Sequence, residues 1–208
     1  MSNFTLNLQD KLPRDVFTDT EVTTLTNGTP ARRYGLMKRA IANGDIILLR
    51  RGVYCFGKRF QRQPLNLFEL AQKIYVPSYI SLESALSFHG WIPEATYTVT
   101  SVCMKRSHSF ETDVGLFSYT RSPKFNFIGV DRLFDKGAII LMANPTKSIL
   151  DYIYVHKIEV DDPQAFLDNL RIDADSYRQL SYELLSEISE SYASIRVSKF
   201  IKKMRRIL

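Results

Sequence analysis

Two helix-start signals followed at once by a basic hairpin signal restrict the fold of this chain more than any other feature. Thr18-Asp19-Thr20-Glu21 is a capping box. The threonine hydroxyl can take the third helical amide while Glu21 reaches back to the cap, which predicts a short helix over 19–25. Asn27-Gly28 turns the chain. Thr29-Pro30 repeats the start signal with proline at the first helical position, predicting a helix over 29–43 that stops at Asn43-Gly44. β-favouring runs at 46–49 and 53–56 then flank Arg50-Arg51-Gly52, where glycine supplies the positive φ of a hairpin turn. Helix, turn, helix and basic hairpin describe a winged helix-turn-helix. Ahead of it, residues 4–12 alternate apolar and polar positions in a way compatible with helix or strand, and Pro13 ends them.

On a helical wheel the 29–43 segment places Tyr34, Met37 and Ile41 on one side, the stripe expected to face the core. Arg32, Gly35, Arg39 and Asn43 fall opposite. Guanidinium and amide groups can bond base edges, and a glycine lets the backbone come close to a major groove. Arg33 and Lys38 flank that side and suit phosphates. Arg50 and Arg51 at the hairpin, with Lys58, Arg59 and Arg62 just after it, are expected to hold the sugar-phosphate backbone on either side. The implied partner is double-stranded DNA. A solvated basic surface and a protein-interaction use of the same fold remain the alternatives.

The charge distribution points the same way. Residues 1–62 hold 11 Lys/Arg against 5 Asp/Glu, so the whole net charge of +6 lies in the first third. Between Arg32 and Arg62, nine basic residues face Asp45 alone. Residues 63–195 carry −6, and 196–208 carry six basic residues and no acid. This asymmetry suggests a DNA-binding part at 1–62 and an effector part at 63–208.

In the second part, helices are expected at about 64–74 and 81–88, then strands near 96–104, 114–120, 125–130 and 138–142 forming a small antiparallel sheet. Asn144-Pro145 and Asp162-Pro163 start helices near 145–155 and 163–170, and further helices are expected around 174–188 and 190–206. The last is basic and amphipathic, with Val197, Phe200, Ile201, Met204 and Leu208 at helical spacing. The fold class is α+β: a winged helix-turn-helix, then a mixed domain with a small antiparallel sheet and C-terminal helices.

Little suggests an enzyme. His89, His108 and His156 are far apart, Cys55 and Cys103 read as buried thiols, and no spacing offers a metal its ligands. Gly-x-Ser-x-Gly, Gly-x-Gly-x-x-Gly and Walker-type patterns do not occur, so neither a catalytic residue nor a cofactor is expected. Glu111, Asp113 and Lys124 are the sole candidates for a nuclease-like set. The longest apolar run, seven residues from Gly137 to Ala143, is far below a membrane span, and the first residues do not read as a leader. A cytoplasmic protein is expected.

Three blocks carry a resemblance: the hairpin Leu49-Arg50-Arg51-Gly52-Val53-Tyr54, the run Tyr79-Ile80-Ser81-Leu82-Glu83-Ser84-Ala85-Leu86, and Pro145-Thr146-Lys147-Ser148-Ile149-Leu150-Asp151-Tyr152. In this order, over about residues 15–155, the chain resembles the AbiEi-type antitoxins. The resemblance implies a component of a bacterial type IV toxin–antitoxin system. Its winged helix would bind inverted repeats in its own promoter, and its C-terminal domain would counter a nucleotidyltransferase-like toxin without a stable complex. The alternative is a module that binds a toxin or another protein directly through the acidic middle and basic tail.

Overall fold

The computed structural model describes residues 3–207 apart from Ala95 and Lys136. The chain is a mixed α+β protein with a three-stranded antiparallel sheet and a six-stranded mixed sheet. Helix α1 (Asn3–Lys11) comes first and settles the ambiguity of residues 4–12. Thr5, Leu8 and Leu12 recur at helical spacing and are buried. Strand β1 (Val16–Thr18) leads into α2 (Asp19–Leu25) through the expected capping box: Glu21 N donates to Thr18 Oγ1 at 3.3 Å, and Thr18 N donates to Glu21 Oε2 at 2.8 Å. Helix α3 (Pro30–Ala42) starts on the Thr29 hydroxyl and stops at Gly44, whose φ of +70° releases the chain into β2 (Ile46–Arg50). A tight turn at Arg51-Gly52, with Gly52 at φ +79°, leads to β3 (Val53–Phe56). The sheet order is β1-β3-β2.

Strand alternation gives this small sheet two buried faces. Phe17, Ile46 and Phe56 pack on the three helices with Leu8, Leu12, Val22, Met37 and Ala40. Val16, Leu49, Val53 and Cys55 pack the other way, into a core shared with α4 (Leu67–Ile74) and the larger sheet. Where the two parts were expected to divide, between residues 62 and 63, the chain runs along the surface, and one apolar cluster draws residues from both sides of that boundary.

The larger sheet runs β6-β7-β5-β4-β9-β8. Its strands are β4 (Ser78–Ile80), β5 (Thr98–Cys103), β6 (His108–Thr112), β7 (Gly115–Arg121), β8 (Val130–Asp135) and β9 (Ala138–Ala143). This corrects the small antiparallel sheet expected from sequence. The β5–β7 and β4–β9 pairs are parallel, β4 and β6 were not foreseen, and β8 begins where the strand expected over 125–130 was to end. Residues 125–129 are not a strand: Phe125 and Phe127 pack against Tyr79 in tilted geometry with ring centroids 5.3 and 5.9 Å away. β4 has only three residues and gains its place from neighbours distant in sequence, so no local alternation marks it.

Helices α5 (Leu82–Phe88) and α6 (Pro145–Val155) pack together. Beyond them lie α7 (Pro163–Asn169), α8 (Ala174–Tyr177), α9 (Tyr182–Glu190) and α10 (Ile195–Met204) around a second apolar cluster. The single helix expected over 174–188 is two, because Ser181 caps a new start at α9. Val197, Phe200, Ile201 and Met204 of α10 are buried as the amphipathic pattern requires, while Leu208 lies outside the described residues. No described helix is long and apolar enough to cross a membrane.

At the centre of the second part sits a buried polar network. Lys147 and Asp151, one turn apart on α6, are both 0% exposed with Nζ and Oδ1 3.4 Å apart. Asp151 also accepts from the hydroxyls of Tyr79 at 3.0 Å, Ser81 at 2.8 Å and Tyr192 at 2.7 Å. Lys147 donates to the Tyr192 hydroxyl at 2.8 Å. Burial first, and then the Asp151 carboxylate, push the Tyr79 and Tyr192 phenols far above their ordinary range; burial does the same to Tyr119.

These phenols set an alkaline limit. The unfolded chain releases such protons near pH ~10 and the folded chain keeps them, so each phenol withdraws about 1.4 kcal/mol of stability per pH unit above that point. Lys147 acts oppositely. Burial lowers its folded pKa, so its contribution rises with pH up to about 10.5 and then stops. Stability in urea is therefore expected to fall steeply above about pH 10.5. Tyr192→Phe should remove about 1.4 kcal/mol per pH unit of that slope. An unchanged slope would show that Tyr192 is not held neutral in the core.

Candidate nucleic-acid interface

Helix α3 lies on the small sheet through Met37 and Ala40, which are 5% and 1% exposed. The stripe expected from sequence was Tyr34, Met37 and Ile41, and Tyr34 corrects it: this side chain is 71% exposed. Relative to the wheel, the buried side is rotated by roughly 60° at 100° per residue. The cause is Ala40, whose small side chain lets the helix approach Ile46 and Phe56. A wheel weighted by large apolar residues overlooks it. The outward arc of α3 consequently centres on Ala31, Gly35, Lys38 and Ala42. Tyr34 lies on one flank and Arg39 on the other, and Arg32 and Asn43 are exposed at the rim. A Cβ added at Gly35 meets no atom within 4 Å, so the middle of the arc is open.

The basic residues divide into free and committed groups. Among the described residues, Arg32, Arg33, Lys38, Arg39, Arg51, Lys58 and Arg59 have no carboxylate within 4.0 Å. Arg39 Nε donates to the Gly35 carbonyl of its own helix, at 3.3 Å. Arg33 and Lys38, with Tyr34 and Met37, face Leu48 and Tyr54 of the hairpin across a cleft of about 410 Å³. Arg51 is exposed at the hairpin tip. Lys58 and Arg59 sit on a short 3-10 turn (Lys58–Phe60) past the end of β3, near the C-terminus of α3. They are thus at the opposite end of the sheet from Arg51.

Two expected phosphate ligands are otherwise engaged. Arg50 is half-buried: its Nε donates to the Ile74 carbonyl at the end of α4, and its Nη1 donates to the Arg51 carbonyl at 3.0 Å. It joins the hairpin to the second part, drawn there by the carbonyls of a helix C-terminus. Arg62 pairs with Asp15 at 2.8 Å and donates to the Leu12 carbonyl at 2.7 Å, capping α1. Arg50→Met is expected to destabilise the fold by about 1–3 kcal/mol, since the Ile74 carbonyl loses its partner. The same variant should leave the salt dependence of any DNA binding unchanged. A fall in that salt slope would return Arg50 to the phosphate ligands.

The nuclease-like set is not assembled. Asp113 lies in the β6–β7 turn, whereas Lys124 follows the opposite end of β7. Among the described residues, no three His, Cys, Asp or Glu side chains are placed to hold a metal ion. Burial pushes the Cys55 thiol up to about 12. No protein-family model matches the chain, and no curated protein matches it.

Proposed function

We propose that residues 3–62 are a winged helix-turn-helix that binds double-stranded DNA, with α3 in the major groove and the β2–β3 hairpin as its wing. The observation that carries this reading is the outward arc of α3: Tyr34, Lys38 and Arg39 are exposed on it, and its cations have no carboxylate partner among the described residues. The order helix, strand, helix, helix, strand, strand, with sheet order β1-β3-β2, supports it. Arg39 is the base-reading candidate, and Arg32 and Asn43 reach groove edges from the rim. Arg33, Lys38, Arg51, Lys58 and Arg59 are the phosphate ligands.

We further propose a DNA-binding antitoxin of the AbiEi type, acting in the cytoplasm, that represses its own promoter and counters a nucleotidyltransferase-like toxin. Two of the three blocks behind the resemblance, 79–86 and 145–152, meet in space: Ser81 donates to Asp151 at 2.8 Å, and α5 packs on α6. Gel-shift titration with the DNA upstream of its own reading frame tests the first proposal. Binding that weakens steeply with salt is expected, and no preference for that DNA over unrelated duplex argues against autorepression. Rescue of cells expressing the neighbouring reading frame tests the second.

A different use of the same surface is favoured by one observation. The cleft beside α3 is largely apolar, with Leu48 46% exposed. A protein partner seated there would co-purify through high salt, which a DNA complex would not survive.

A further inference from the structure

A second concentration of cations lies outside α3 and the hairpin, in a region whose net charge is negative. Lys105 and Arg106 follow β5, and Arg121 and Lys124 end or follow β7. They share one end of the sheet because Cys103 pairs with Arg121 and His108 with Tyr119. The two connections are tied together: Arg121 N donates to Ser107 Oγ at 2.9 Å, and Ser122 N donates to the Cys103 carbonyl at 3.0 Å. All four cations are exposed, and none has a carboxylate within 4.0 Å among the described residues. The acids of this hairpin, Glu111 and Asp113, are at its far end.

This end of the sheet adjoins the tip of the small hairpin. Arg50 binds the Ile74 carbonyl, and the next residue, Tyr75, donates its hydroxyl to the Arg106 carbonyl at 2.9 Å. Lys105 Nζ lies 5.6 Å from the Tyr75 ring, which itself packs on Tyr119 at 5.0 Å. Arg50 of the hairpin and the Lys105-Arg106 loop are thereby both tied to the C-terminal end of α4, one through Ile74 and the other through Tyr75.

We infer that Lys105, Arg106, Arg121 and Lys124 form a second phosphate-binding surface, which takes the backbone of the same DNA duplex beyond the segment met by α3. The inference rests on the reading of α3 as the duplex-contacting helix. It gives the protein a footprint longer than one helical turn and makes the second part a DNA-binding element. Each phosphate neutralised there adds about 0.9 to the slope of log affinity against log salt.

The test is fluorescence anisotropy of the full chain with labelled duplexes of about 10 and about 30 base pairs, one and three helical turns, over a range of salt. Lys105→Ala with Arg106→Ala should weaken binding to the long duplex roughly tenfold or more and lower the magnitude of its salt slope by about 2. Binding to the short duplex should not change. Arg39→Ala should weaken both. Arg121→Ala with Lys124→Ala probes the surface from the other strand and stands in if the first pair lowers the melting temperature. Lys199→Ala with Lys202→Ala on α10 removes the same charge elsewhere and should change neither duplex. An unchanged slope in both loop variants overturns the second surface and leaves α3 standing. An equal loss in the α10 control also overturns it, since net charge alone would then explain the effect. Arg39→Ala binding like the natural chain overturns the α3 reading and with it the place of this surface beyond α3 on the duplex, and no binding of either duplex by the natural chain overturns both outright.

Discussion

An Asp151→Ala variant is expected to be less stable than the natural chain by about 3–5 kcal/mol, because it strands a charge in the core. Lys147 is 0% exposed and would keep only the Tyr192 hydroxyl and two aromatic rings, their centroids 4.4 and 5.6 Å from Nζ, as company. Tyr79 and Ser81 would lose the acceptor that both now share. The loss should depend on pH with a definite sign. Burial already lowers the Lys147 pKa, and removing the carboxylate that opposes this lowers it further. The folded variant then sheds its proton at a pH where the unfolded chain still binds one. Its stability should therefore climb as pH rises toward about 10.5. Lys147→Met combined with Asp151→Leu should recover much of the loss, since a well-packed apolar pair removes the stranded charge. Urea denaturation of the two single variants and the double variant reads the coupling. A loss below about 1 kcal/mol for Asp151→Ala would mean that water reaches this pair.

The second large effect concerns the outward arc of α3. Lys38→Glu with Arg39→Glu should weaken binding to duplex DNA at least about a hundredfold near 0.1 M salt. Two lost phosphate or base contacts already account for nearly two powers of ten, and carboxylates facing phosphates add repulsion. Both residues are exposed and neither pairs with an acid among the described residues, so the fold should be indifferent to the change. The melting temperature should move by no more than a surface substitution allows. If the variant binds duplex as the natural chain does, another surface carries the affinity and α3 is not in the groove.

How much of this was legible in the sequence depends on the range of the interactions concerned. The starts of α2, α3, α6 and α7 were readable because each rests on a side chain bonding an amide two or three residues away. The glycine at the hairpin was readable because the positive φ of the turn is set at its own position. Strand β4 was not, since its partners lie far along the chain and three residues such as Ser78–Ile80 show no period, and β6 was not, since it is a largely exposed edge strand with Phe110 as its one large apolar residue. The rotation of α3 was hidden because Ala40 carries its packing while Tyr34, the more apolar-looking side chain, stays outside. Arg50 and Arg51 are indistinguishable as letters, and only the arrival of Ile74 separates the anchored one from the free one. The Lys105-Arg106 pair was masked by summing charge over a segment whose acids lie elsewhere.

The small sheet, covered on both sides, gives the two parts of the chain a shared core. A fragment ending near residue 62 would bare Val16, Leu49, Val53 and Cys55 to water and is expected to aggregate. By the same logic, heat or proteolysis that loosens the second part strips the support from the hairpin. If the chain represses its own promoter as proposed, loss of the second part would lift that repression, so damage to the protein would itself raise its synthesis.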